Sequence, residues 1–179
     1  MANALTVLRL LLVPLFLVVL FWGTGHETRW RLVATLIFAA ACITDTFDGE
    51  IARKRGLITE FGKLMDPIAD KALVGAALIG LSALSDLPWW VTIVILVREV
   101  GVTLLRFWVI RHGVIAASRG GKVKTLLQTV AIGLFVLPDW GWLRVIAWVV
   151  MVAAIVIAVI TGADYVKRAI RLRRQPHAQ

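Results

Sequence analysis

Four aspartates, Asp45, Asp48, Asp66 and Asp70, stand at spacings that suit shared chemistry. The first two are three residues apart and the last two four apart, so on helices each pair lies along one face. Six of the chain's 11 acidic residues fall in this interval. Between the pairs lie Arg53, Lys54, Arg55 and Gly56, a short basic turn. Two helices joined there form an antiparallel hairpin whose carboxylates converge near one end. Intramembrane carboxylates are expensive, each about 2.5–3.5 kcal/mol on insertion scales, and four at one depth repel one another. An all-oxygen donor set is compensated best by hard cations, Mg²⁺ or Mn²⁺. Four carboxylates have room for two such ions, the arrangement that serves in-line phosphoryl displacement. The alternative is a structural cluster salt-bridged by Arg53, Lys63 and Lys71, although single pairs would suffice for that.

The elements that position these groups follow from composition. Apolar types make up 60% of the 179 residues and charged types 17%, with a mean hydropathy of +0.86. A soluble fold of this size cannot hide so much apolar surface. Six apolar segments run near 5–22, 31–52, 60–85, 88–110, 124–138 and 142–166. The expected fold is therefore all-α: an integral membrane protein of six transmembrane helices in a single domain, 1–179. The first segment lacks a small-residue cleavage site and is read as a retained helix. The polar tail from Arg171 is expected to fray.

Of the 20 Lys and Arg residues, 15 fall on the ends and loops of one side. The opposite loops carry only Arg29, Arg31 and Arg144, while Arg98 and Arg106 lie within the fourth segment. Positive charge marks the inner side, so both termini and the aspartate turn are expected in the cytoplasm. Trp22, Trp30, Trp89, Trp90, Trp140 and Trp142 flank the three outer loops, where indole anchors to the interface. In this setting the net charge of +9 reads as topology and contact with anionic lipid, not as nucleic-acid binding. Cys42 is the sole cysteine, so no internal disulfide is possible, and His26, His112 and His177 show no zinc spacing.

Small residues complete the pattern. Gly49 and Ala52 follow Asp48, and Gly62 precedes Asp66 by one turn, so backbones and ligands can approach closely. Pro67 loosens the third helix and Thr59 can cap it. Residues 45–70 thus read D-x2-D-G-x2-A-R-x8-G-x3-D-x3-D, which resembles the signature of the CDP-alcohol phosphatidyltransferases. Asp45, Asp48, Gly49, Ala52, Arg53, Gly62, Asp66 and Asp70 fill every fixed position. The six-span layout is similar to that family too, so the resemblance extends over the whole chain.

The resemblance implies joining of a CDP-activated group to an alcohol with release of CMP. By position, Asp45, Asp48 and Asp66 would be metal ligands, and Asp70 both ligand and general base. Gly49, Arg53 and Thr59 would contact the CDP moiety. These residue types suit that chemistry, because Arg53 can fork onto a phosphate and a carboxylate beside the reacting hydroxyl can take its proton.

Finer features resemble the family's glycerol-phosphate-using members: N-A-L-T-V-L-R at Asn3 to Arg9, F-G-K-L-M-D-P-I-A-D-K at Phe61 to Lys71, R-E-V at Arg98 to Val100, and G-K-V-K-T-L-L-Q at Gly121 to Gln128. The implied substrates are CDP-diacylglycerol and sn-glycerol 3-phosphate. Arg98, Arg106, Lys122 and Lys124 are the expected ligands of the acceptor phosphate. The alternatives are a buried pair of Glu99 with Arg106, on one helical stripe, and a purely topological role for Lys122 and Lys124. Asn3, Thr6 and Arg9 are expected to form an interfacial helix over the nucleotide, against plain capping and lipid contact. A homodimer is expected. Cardiolipin synthases of the same family share D-P-x-A-D-K and are the competing enzyme reading. A divalent-cation transporter is the rival from another class, but only Glu27, Asp86 and Asp139 lie near the outer loops, with no acidic chain between.

Overall fold

A computed structural model describes residues 2–55, 60–109 and 119–174, and within them the side chains of 8, 10–44, 71–105, 121, 123–167, 169 and 170. The described residues form six helices and no strand: α1 (Ala2–Phe21), α2 (Thr28–Arg55), α3 (Glu60–Ala83), α4 (Trp89–Val109), α5 (Arg119–Val136) and α6 (Trp142–Arg174). Each expected apolar segment corresponds to one helix. Among the described residues α1 packs on α2 and α3, α6 on α4 and α5, and α5 on α2 and α3, while α3 also meets α4. Among the described residues α1 and α5 each touch both α2 and α3, the two arms of the expected hairpin.

Three short turns meet at one end of the bundle. Gly23 and Gly25 have φ of +65° and +74°, which stops α1, and a side chain on Gly25 would collide with Leu84 of the α3–α4 turn. That second turn is closed by the amides of Asp86 (2.9 Å) and Leu87 (3.3 Å) donating to the Leu81 carbonyl. In the third, Asp139 Oδ1 accepts from the Gly141 amide at 3.0 Å. Arg31, almost wholly buried, fastens the three together. Its Nε donates to Gly25 O at 2.6 Å, its Nη1 to Phe135 O at 3.3 Å, and its Nη2 to Asp86. Arg144 reaches Asp86 Oδ1 at 3.2 Å and Asp139 Oδ2 at 3.3 Å, and its guanidinium stacks 5.0 Å from the Phe135 ring centroid. The three loops expected on one side therefore do share one end. The exposed indoles of Trp22, Trp89, Trp90, Trp140 and Trp142 surround it.

Side-chain size is distributed as in a bundle that faces lipid. Along α6 the buried line is Ala147, Met151, Ala154 and Ala158, while Val145, Val149, Val152, Val156, Val159 and Ile160 are exposed. Small residues inside let helices approach, and large apolar ones outside need no water-soluble cover in a bilayer. Trp142–Lys167 is long and apolar enough to cross a membrane, about 39 Å of helix at the usual rise. Leu10–Phe21, Lys71–Ala83 and Val123–Val136 are shorter apolar stretches.

One sequence expectation changes here. The tail does not fray at Arg171: α6 continues to Arg174, because no glycine or proline stands between Gly162 and Pro176 and Ala169 is buried. Asn3, Thr6 and Arg9 stand in the first turns of α1, continuous with the apolar run that follows, Pro14 included.

Candidate active site

The two aspartate pairs ride on the second half of α2 and the first half of α3, so their spacings are helical spacings. The side-chain positions of Asp45, Asp48, Gly49, Arg53, Asp66 and Asp70 lie outside the described residues, as do those of Asn3, Thr6, Arg9, Arg106 and Lys122; Thr59 lies outside them altogether. The described residues define the layer beside them. Lys71 directly follows Asp70, and its Nζ donates to Thr103 of α4. Thr103 Oγ1 in turn donates to the Glu99 carbonyl at 2.7 Å. Glu99 Oε1 accepts from Arg98 Nη1 at 3.2 Å and from Lys124 Nζ of α5. Arg98 extends to α6, its Nε donating to Ala158 O at 3.2 Å and its Nη2 to Thr161 Oγ1 at 3.0 Å. Arg98 also lies beside Gly162, where an added Cβ would make ordinary van der Waals contact with it at 3.5 Å.

One polar layer thus ties α3, α4, α5 and α6. Its depth can be fixed against α2. Phe38 packs beside Gly133, and Lys124 lies nine residues before Gly133 on the antiparallel α5. Lys124 therefore stands at the level of about residue 47 of α2, between Asp45 and Asp48. Among the described residues Arg98 and Lys124 both pair with Glu99, and Lys71 joins the layer through Thr103. Arginine and lysine side chains in such a layer are the kind of donor that an anion beside a divalent-cation site would need.

Arg98 and Lys124 are brought together, through Glu99, as two expected acceptor-phosphate ligands would need to be. The described partners of Glu99 are nevertheless Arg98 and Lys124, where the helical stripe pointed to Arg106. Periodicity within one helix finds only same-helix partners; Lys124 arrives from α5. Lys124 is also nearly fully buried, so topology alone does not account for it. Sequence reasoning missed Thr103 and Thr161 as polar links, missed Tyr165, and named Gln128 only as the last residue of the motif from Gly121; the Tyr165 hydroxyl and Gln128 Oε1 are buried without hydrogen-bond partners among the described residues. The available signal was spacing: Thr103, Gln128 and Tyr165 each follow Glu99, Lys124 and Thr161 by four residues.

Among the described residues no group of three or more metal-ligating side chains occurs; the four aspartates lie outside them. Their donor chemistry, four hard carboxylates on two consecutive helices, fits Mg²⁺ or Mn²⁺.

Comparison with known proteins gives a consistent result. A family model described as CDP-alcohol phosphatidyltransferase matches residues 1–160. A probable phosphatidylglycerophosphate synthase of Mycobacterium tuberculosis (strain ATCC 25618 / H37Rv) is 65% identical over 171 residues, which covers 96% of this chain and 82% of that protein. The CDP-diacylglycerol–glycerol-3-phosphate 3-phosphatidyltransferase of Bacillus subtilis (strain 168) is 37% identical, covering 91% of both chains. The protein of the same name from Rickettsia felis (strain ATCC VR-1525 / URRWXCal2) is 35% identical, covering 92% of both.

Proposed function

The chain belongs to the CDP-alcohol phosphatidyltransferase family, and from that premise we propose that it transfers a phosphatidyl group from CDP-diacylglycerol to sn-glycerol 3-phosphate, giving phosphatidylglycerophosphate and CMP. The observation that carries this choice of acceptor is the 65% identity, over nearly the whole chain, to a relative named for that product.

In this reading Asp45, Asp48, Asp66 and Asp70 hold two divalent cations, Mg²⁺ or Mn²⁺. When bound, these supply charge neutralisation at the pyrophosphate. Arg53 forks onto a phosphate, Gly49 leaves room for the nucleotide, and Thr59 contacts it. Asn3, Thr6 and Arg9, at the start of α1, cover it. Asp70 accepts the proton of the acceptor hydroxyl. That oxygen bonds to the β-phosphorus as the bond from this phosphorus to the bridging oxygen breaks, and CMP leaves with the electron pair. Residues 45–70 contain no serine, cysteine or histidine, which favours direct displacement over a covalent intermediate. Arg98, Arg106, Lys122 and Lys124 bind the acceptor phosphate; the neighbouring positions of Arg98 and Lys124 support this. All six helices span the membrane, with both termini and the aspartates on the cytoplasmic side, and the protein works as a homodimer. The apolar exterior, the tryptophans around one end and the Lys/Arg asymmetry support the orientation.

The test is CMP release by the purified protein from CDP-diacylglycerol with a panel of alcohols. Glycerol 3-phosphate is expected to be used and free glycerol not, since an uncharged alcohol leaves the cations unpaired. Preference for phosphatidylglycerol would establish the cardiolipin synthase reading instead.

A further inference from the structure

Gln128 on α5 is 3% exposed, and its Oε1 has no hydrogen-bond partner among the described residues. A buried amide oxygen left unpaired costs about 1–3 kcal/mol, and folded proteins leave few. Exchanging the two ends of the amide does not remove the problem; it leaves an NH₂ group in the same place. A hydroxyl, which both donates and accepts, answers either orientation.

The position says which hydroxyl. Gln128 lies one turn along α5 from Lys124, on the same face, about 6 Å away along the axis. Lys124 joins Glu99 and Arg98 in the polar layer level with the aspartates. A three-carbon chain anchored there by its phosphate can reach Gln128 while its terminal hydroxyl remains for the aspartates. We infer that Gln128 is a specificity-determining residue, hydrogen-bonded to the secondary hydroxyl of the glycerol phosphate acceptor. This rests on the acceptor assignment above and adds a reason why a three-carbon diol phosphate is selected.

The experiment compares kcat/KM for sn-glycerol 3-phosphate with that for 3-hydroxypropyl phosphate, which lacks only the secondary hydroxyl. A site built to bond a hydroxyl discriminates against the analogue without it, so the wild-type protein is expected to prefer glycerol 3-phosphate by about tenfold or more. In Gln128→Met, similar in length but unable to hydrogen-bond through an amide, the loss is expected on glycerol 3-phosphate alone, and the ratio falls towards one. Equal use of both acceptors by the wild type overturns the inference, because a buried water would then be the partner of Gln128. An unchanged ratio in Gln128→Met overturns it as well. If that variant does not fold, Gln128→Asn, which draws the amide back by one methylene, takes its place and is expected to give an intermediate ratio; a ratio equal to that of the wild type overturns the inference. Absence of CMP release from the wild type with glycerol 3-phosphate would refute the proposed reaction itself; turnover with the wrong ratio refutes only the role of Gln128.

Discussion

The aspartates are alike in chemistry but not in expected role, and substitution separates them. Asp45→Asn removes one proposed metal ligand, so excess Mg²⁺ is expected to restore part of the CMP release. Asp70→Asn removes the proposed base as well, a loss of roughly 10²–10⁴ in turnover that added metal does not restore. Rescue of Asp70→Asn to wild-type rate by metal alone would reduce it to a ligand. Glu99 offers a second residue-level test. It is the counter-ion of Lys124 among the described residues, Lys124 is almost wholly buried, and removing one partner of a buried pair costs about 3–5 kcal/mol. Glu99→Gln is therefore expected to lower the thermal midpoint markedly, and a second change, Lys124→Met, to restore much of it; no recovery in the double variant would deny the coupling. These residues differ in how far they could be read from sequence. The aspartate pattern is local, with each pair inside one helix, so spacing alone exposes it. The partners of Glu99 come from another helix, and no within-helix periodicity points to Lys124.

Helix ends were legible wherever glycine and proline punctuate the chain: Gly23 and Gly25 after α1, Pro88 before α4, Pro138 and Gly141 between α5 and α6. They were missed where helix formers ran on past the apolar segment, as at Arg171 to Arg174, and where α5 begins at Arg119 despite two glycines. The clasp of Arg31, Asp86 and Arg144 was visible only as scattered outer charges, because it joins three turns distant in sequence. It stands at the opposite end of α2 and α3 from the aspartates. Asp86→Asn is expected to lower the thermal stability of the detergent-purified protein by about 3–5 kcal/mol, the scale of a broken buried pair, while activity per folded molecule is kept. Loss of activity without loss of stability would contradict a purely structural clasp. Acid has a smaller effect at the same place. The Gly141 amide first, and then Arg144, hold Asp139 below the ordinary carboxylate range. Its contribution to stability is therefore full above about pH 4 and is lost as the pH falls through the lowered folded value. Wild type and Asp139→Asn are expected to differ slightly in melting temperature at neutral pH and to converge under strong acid. Since Asp139 is mostly exposed, solvent screening keeps that difference small.

At the scale of the whole molecule, orientation is the claim on which the chemistry depends, because the nucleotide and glycerol 3-phosphate are water-soluble groups expected from the cytoplasm. The helix order and the common end of three turns were legible in hydropathy and tryptophan placement, since both signals repeat along the chain. The direction rests on 15 Lys and Arg residues against three. Cysteine labelling tests it, because Cys42 is the sole thiol and Cys42→Ser provides a blank background. Asp86 would be a poor labelling position on the outer side: its side chain is 8% exposed and holds Arg31 and Arg144. Ser85, next to it, is exposed and differs from cysteine by one atom. Ser85→Cys is expected to react with an impermeant maleimide from outside intact cells. Gly56→Cys, between α2 and α3 in the chain, is expected to react only in inside-out vesicles. The reverse pattern would turn the bundle over and set the aspartates on the face where neither CDP-linked lipid nor glycerol 3-phosphate is expected. Labelling of both positions from one side would instead mean that α3 does not cross the membrane, because Gly56 and Ser85 flank its two ends.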